Sequence, residues 1–247
     1  MSRNLIFDVD GTLALSGQKV DPLFSEFLMS FWGAENCYLV TGSDREKLQS
    51  QLPTKLLNLA NGVFACSGNE FFSGDKTHFL MQHQFPDELV EYCRQLIELS
   101  PFSWRAGKHI DQRTGMMNVS VVGKNADRLE RKRYVDFDKV AGERQYIAES
   151  IMRVFPDYEA TLGGEISIDL APKGWNKSRV YSEIQRRHPN SEMHFFGDRI
   201  EEGGNDLPLA SLLEADGHAI YPVTSYHDTW RILRDDLGYG AHFRAVG

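Results

Sequence analysis

The 247-residue sequence predicts an α/β protein: a parallel-sheet core interrupted by an α+β insert. Three observations predict it. Short apolar runs end in polar residues at 5–10 (LIFDVD), 37–44 (CYLVTGSD) and 193–198 (MHFFGD). Runs that are apolar throughout, with helical periodicity between them, read as parallel strands covered on both faces. The middle of the chain alternates instead, as the strands of an antiparallel sheet do.

Taken in order, residues 5–10 form the first strand and run into Asp8 and Asp10. Residues 21–33 fit a helix, with Leu23, Phe24, Phe27, Leu28 and Phe31 at helical spacing and Gly33 as a C-cap. Residues 37–44 form the second strand, and Thr41-Gly42-Ser43-Asp44 opens the next helix. Residues 85–100 read as an amphipathic helix with Leu89, Cys93 and Leu96 on one face. The stretches 115–123 (GMMNVSVVG) and 165–171 (EISIDLA) alternate like half-buried strands. Between them, 141–155 is helical, with Ile147, Ile151 and Val154 in register. The core resumes at 174–188, where Lys177 begins a helix, and closes on the strand 193–198 with its Gly-rich loop. This division makes 1–83 and 174–247 the core and 84–173 the insert.

Composition narrows the function. A net charge of −8 argues against a general nucleic-acid binder. No apolar run reaches the length of a membrane span, so no membrane partner is expected. The N-terminus shows no leader pattern, and the three cysteines have no metal spacing. Reduced thiols in a cytoplasmic protein are therefore expected. One basic island, 127–134 (DRLERKRY), stands out in an acidic chain. It reads as a solvated helix face or as a grip on a small anion.

Four clusters carry chemistry. Side chains two apart on a strand share a face, so Asp8 and Asp10 are expected to face one pocket. A carboxylate there can attack a phosphoryl group, and its neighbour can move a proton at the bridging oxygen. Two close carboxylates call for a cation, and Mg2+ suits oxygen ligands. The hydroxyls and N–H groups around Ser43 can hold phosphoryl oxygens, cap the helix, or do both. Lys177 can neutralise the phosphoryl group and Asp8. The loop FFGDRIEEGGND sets out Asp198, Asn205 and Asp206 as further oxygen ligands. Taken singly, each cluster is also explained by ordinary loop or capping chemistry.

In this order, DVDGT, TGSD, GWNK and FFGDRIEEGGND resemble the four motifs of the haloacid dehalogenase superfamily of phosphotransferases. The resemblance implies a Rossmann-like core and makes the insert an α/β cap domain. QRTGMMNVSVVG, GGEISIDLAPKGWNKS and VTSYHDT extend it, from about residue 5 to 233, to the eukaryotic-type phosphomannomutases. That resemblance implies Asp8 as the phosphorylated nucleophile and Asp10 as acid/base. It implies Mg2+ held by Asp8, the Asp10 backbone carbonyl and the Asp198 loop. It places Arg113, Arg131, Ser167 and Asp169 on substrate-binding positions, with Lys124 where the family usually has arginine. Gly17 likewise replaces an arginine, and TGSD replaces a double-glycine version. The implied reaction interconverts mannose 1-phosphate and mannose 6-phosphate, with a hexose 1,6-bisphosphate as activator and a homodimer formed through the cap. A sugar-phosphate phosphatase is the alternative that the same motifs allow.

Overall fold

The computed structural model describes residues 3–242. Its main sheet has seven strands. They are β1 (Arg3–Phe7), β2 (Asn36–Val40), β3 (Gly62–Ala65), β4 (Glu70–Ser73), β5 (Lys76–Leu80), and, much later in the chain, β10 (Glu192–Gly197) and β11 (Ala219–Pro222). The order is β11-β10-β1-β2-β3-β4-β5. The first five in that order are parallel, and β4 and β5 add an antiparallel edge.

Alternation along β1 builds both layers. Leu5 and Phe7 join one core cluster with Phe24, Phe27 and Phe31 of helix α1 (Pro22–Phe31). Ile6 joins the opposite cluster with Val180 and Ile184 of α7 (Arg179–Arg187) and Leu209 and Leu213 of α8 (Leu207–Ala215). All of these side chains are buried. Each such burial contributes about 1.5–3 kcal/mol, which fixes the strand ends against rigid layers. Helix α1 is shorter than the sequence pattern suggests. Asp21 caps it through bonds from the Leu23 and Phe24 N–H groups, and it ends at Phe31 with Trp32, not Gly33, at the C-cap. Leu23 is 58% exposed because it sits in the first turn, on the outward side.

The second sheet is antiparallel, in the order β6-β7-β9-β8. Its strands are β6 (Ile110–Arg113), β7 (Met116–Val119), β8 (Tyr158–Gly163) and β9 (Ser167–Pro172). Helices α4 (Asp87–Glu98), α5 (Arg128–Ala141) and α6 (Glu143–Val154) share its core cluster through Leu89, Tyr134, Ile147 and Ile151. Val154, at the last position of α6, is 49% exposed. Strand β7 is buried at every position, not half-buried. Met117 and Val119 face the helices, whereas Met116 packs into the main core. The sheet is thus covered on its second face by the larger unit.

The two units are hydrogen-bonded to each other. Leu162 N–H donates to the Gly203 carbonyl at 2.7 Å, and Asn205 N–H to the Leu162 carbonyl at 3.3 Å. Arg199 donates to the Gly164 carbonyl at 2.7 Å. Strand β8 therefore lies directly on the loop that follows β10. No helix among the described residues is long and apolar enough to cross a membrane.

Candidate active site

Polar clusters collect past the carboxyl ends of β1, β2 and β10, where open α/β sheets bind ligands. Strand β1 ends at Phe7. Asp8 still continues the ladder, donating its N–H to the Phe196 carbonyl at 2.9 Å. Asp10 does not lie on a strand. The chain bends at Val9, and Asp10 turns toward helix α2 (Arg45–Gln51). Both aspartates face one cavity, but not by strand alternation, because a tight turn follows: Gly11, Leu13 and Ala14 N–H groups all bond within residues 9–14. Gly11 is obligatory in that turn. Its φ is +95°, and a Cβ there would come within 2.3 Å of Asp198 Oδ2.

Each aspartate has its own cation. Lys177 Nζ donates to Asp8 Oδ1 at 2.6 Å and to Asp206 Oδ1 at 2.7 Å, with no solvent exposure of its side chain. Lys177 sits in the turn just before α7 rather than in the helix. Burial opposes its charge, but Asp206 and Asp8 more than offset that and hold its pKa above the usual lysine value. Burial pushes the Asp8 carboxyl up, against Lys177, and the charges of Asp206 and Asp198 add to the push. Asp198 is likewise raised, to about 7, by burial and by Asp206.

Asp10 is the opposite case. Burial would raise it, yet the Lys47 charge and the bonds it accepts hold it at about 2. Those bonds come from Lys47 Nζ (2.8 Å), Gln51 Nε2 (2.8 Å), Gly17 N–H (2.7 Å) and Ser43 Oγ (3.2 Å). Ser43 thus faces Asp10. Asp44 caps α2 by accepting from Lys47 N–H at 2.8 Å.

Asp8, Asp198 and Asp206 bring carboxylate oxygens within 4.8 Å of one another. Asp8 Oδ2 is buried without a hydrogen-bond partner. An all-oxygen set with an orphaned anionic oxygen fits a hard divalent cation such as Mg2+. Asn205 also reaches the antiparallel unit through its amide nitrogen, which donates to Asp169 Oδ2 at 3.0 Å.

Across the gap, a cavity of about 210 Å3 is lined by Asp8, Asp10, Ser43, Asp198 and Asn205 on one side. Arg113, Lys124, Arg131, Ser167 and Asp169 line the other side. Asp169 also accepts from Asn118 at 2.7 Å, and Ser167 Oγ donates to the Gly163 carbonyl at 2.8 Å. Arg131 donates Nε to the Ala126 carbonyl and Nη2 to the Lys124 carbonyl, both at 2.9 Å, which fixes its guanidinium at the cavity wall. Arg113 reaches the core, donating to the Gly42 carbonyl. Gly42 is needed there: a Cβ would come within 2.7 Å of Asp169 Oδ2.

Sequence reasoning missed Lys47, Gln51 and Asp111. Lys47 and Gln51 are four apart on the helix that Asp44 opens, so a shared face toward the site was readable. Asp111 is two positions before Arg113 on β6 and so shares its face. It accepts from Arg113 Nε at 2.8 Å, from Lys108 at 2.5 Å, and from Lys124.

Comparison with known proteins agrees with this arrangement. A profile described as eukaryotic phosphomannomutase matches residues 24–238. The chain is 33% identical over 244 residues to a phosphomannomutase of Drosophila melanogaster, covering 94% of each chain. It is 32% identical over 240 residues to one of Saccharomyces cerevisiae, covering 94% of this chain and 92% of the other. Among solved structures, a sugar phosphatase of haloacid dehalogenase subclass IIB superposes with a TM-score of 0.57 at 17% identity, over 97% of this chain and all of the other. The Plasmodium falciparum IMP-nucleotidase superposes with a TM-score of 0.65 at 16% identity, over 95% of this chain and 67% of the other. These two establish the fold, with the antiparallel unit as the cap. The profile and the relatives go further: the chain is a sugar-phosphate phosphotransferase and belongs to the eukaryotic phosphomannomutase family.

Proposed function

We propose that this protein interconverts mannose 1-phosphate and mannose 6-phosphate through a phosphorylated Asp8, with residues 1–83 and 174–247 as the catalytic core and 84–173 as the cap. The observation that carries this reading is one cavity with the Asp8 carboxylate at one end, Oδ1 pinned by Lys177 and Oδ2 without a hydrogen-bond partner, and three cations, Arg113, Lys124 and Arg131, at the other. A phosphatase needs only the first end. A mutase must also hold the phosphate that is not reacting.

Asp8 carries a phosphoryl group supplied by a hexose 1,6-bisphosphate activator. A sugar hydroxyl attacks that phosphorus and gives its proton to Asp10, and the Asp8–phosphorus bond breaks. Asp10 is held ionised in this structure, the state a base needs at that step. The bisphosphate then turns round. Asp8 attacks its other phosphate, and Asp10 returns the proton to the departing sugar oxygen. Lys177 favours the charged form of Asp8 against its burial and holds its Oδ1 in place, and Ser43 and the nearby N–H groups are suited to phosphoryl oxygens. Asp8, Asp198 and Asp206, with the Asp10 backbone carbonyl and Asn205 from the same loops, are the residues that would hold Mg2+. The ion supplies charge neutralisation at the transferring phosphoryl group. The Ser167 hydroxyl oxygen and the Asp169 carboxylate are acceptors for the sugar hydroxyls.

The cap's outer face carries exposed Leu99, Val140 and Tyr146 beside a shallow apolar hollow lined by Leu96, Pro101 and Phe137. These support a homodimer formed through the cap, which a mass measurement by light scattering at micromolar concentration would test. A cytoplasmic setting is supported by three free, buried thiols.

Product analysis tests the main reading. Mannose 1-phosphate with Mg2+ and a catalytic amount of hexose bisphosphate should yield mannose 6-phosphate. Free mannose and inorganic phosphate as the main products would overturn the mutase reading in favour of a phosphatase.

A further inference from the structure

Asp10 is fully occupied. Both of its oxygens accept bonds, Oδ1 from Gly17 N–H and Gln51, and Oδ2 from Lys47 and Ser43. A carboxylate so engaged has no free oxygen to offer a substrate hydroxyl. Something must draw a donor away before it can act.

Of these four donors only Lys47 carries charge. Its ammonium is on a flexible stem, 38% of the side chain is exposed, and it lines the same cavity as Lys124 and Arg131. The clamp also sits beside the cap's cations. Gly17, whose N–H holds Asp10, turns its open Cα toward Arg131, and a Cβ there would lie 3.9 Å from Arg131 Nη1. A phosphate dianion held by Arg131 and Lys124 would therefore arrive within reach of Lys47. It offers two negative charges against the single charge of Asp10, and a lysine is a point charge free to change partners.

We propose that Lys47 is a positioning residue that couples occupation of the cap's phosphate grip to release of Asp10 toward the reacting oxygen. This rests on the mutase reading above. With the grip empty, Lys47 stays on Asp10, and water near a phosphorylated Asp8 finds no free base. With the grip filled, Lys47 moves to the phosphate, and Asp10 keeps only its neutral donors. A substrate with two phosphate positions is thereby favoured over a monoester with one.

The test compares the full-length protein with Lys47→Met, Lys47→Gln and Lys47→Arg. Two rates are read with Mg2+ present: transfer from mannose 1-phosphate with catalytic bisphosphate, and hydrolysis of para-nitrophenyl phosphate, which has no second phosphate. Removing the charge should lower transfer by about ten- to a hundredfold, the range of a charge-assisted phosphate contact, while hydrolysis rises by about two- to tenfold. Lys47→Arg keeps the charge and should restore the wild-type ratio of transfer to hydrolysis to within about threefold, since arginine also pairs with phosphate. Lys47→Met keeps most of the stem's length, and Lys47→Gln, neutral but polar, guards against an effect of added apolarity in the methionine variant. A fall of both rates by the same factor, or no change in their ratio, would overturn the coupling. Failure of the wild type to form mannose 6-phosphate would instead remove the mutase reading itself.

Discussion

Asn205, in the loop that follows the third motif-bearing strand, donates its side-chain amide to Asp169 of the cap at 3.0 Å. One bond thus joins the loop after β10 to the cap's wall of the cavity. Both side chains are buried, so the bond is shielded from competing water. Asn205→Ala and Asp169→Asn should each raise the KM for mannose 1-phosphate. The double variant should fall short of the sum, with a coupling of about 0.5–3 kcal/mol. Strict additivity in kcat/KM would show that the bond plays no part in substrate binding.

Lys177 and Asp8 should separate stability from catalysis. Lys177→Met leaves Asp8 and Asp206 buried without their cation, and breaking such a pair costs about 3–5 kcal/mol. A fall in Tm of several degrees is expected in thermal denaturation. Asp8→Asn removes a charge that burial disfavours, so the Tm of the metal-free protein should hold or rise while activity disappears. Retention of a tenth of the wild-type rate by Asp8→Asn would exclude it as the nucleophile.

Asp198 sets a pH dependence. Its folded pKa is raised to about 7, above the unfolded value of 3.8. A raised group contributes stability that is fully present below the unfolded pKa and lost as pH rises through the folded one. The metal-free protein should therefore gain Tm, from this group, as pH falls from 7.5 toward about 5.5. Mg2+ should stabilise most at the higher pH, because protons compete for the same oxygens. A Mg2+ effect on Tm that does not change across this range would count against Asp198 as a ligand.

Lys124 should limit activity at alkaline pH. Burial lowers its ammonium to about 8, with Lys47 and Lys108 adding to the effect and Asp44 and Asp169 opposing it. On the proposed reading this charge grips phosphate, and it is present below that value and lost above it. KM for mannose 1-phosphate should rise as pH passes 8. In Lys124→Arg the rise should vanish, since arginine stays protonated. Identical KM profiles for the two proteins would remove Lys124 from the phosphate grip.

Arg131 should distinguish the two ends of the cavity. Arg131→Ala should lower mutase flux by roughly ten- to a hundredfold, the equivalent of a charge-assisted hydrogen bond of about 1.5–3 kcal/mol. Hydrolysis of para-nitrophenyl phosphate should change little. Equal loss of both activities would mean that Arg131 supports the cap's fold instead, through its bonds to the Ala126 and Lys124 carbonyls.

By itself the sequence determined the layers and the chemical vocabulary. Apolar runs such as 5–7 and 193–196 have to be strands buried on both faces, because no amphipathic period lets them face water. The aspartates past their ends therefore had to lie at the carboxyl edge of a parallel sheet. Local periodicity was less sure at helix ends: Leu23 and Val154 keep the helical spacing, yet terminal turns point outward and leave them exposed. What only the tertiary structure decided is who pairs with whom. Lys177 reaches Asp8 across 169 residues, and Lys47 reaches Asp10 across 37. Asp10 lines the same cavity as Asp8, yet the turn at Gly11 gives it a separate cation, Lys47 of α2. The physical reason is that a strand's period is set by its own backbone, and residue identities reveal it. The partner of a buried charge is set by where distant segments cross and by which cation lies nearest once water is excluded.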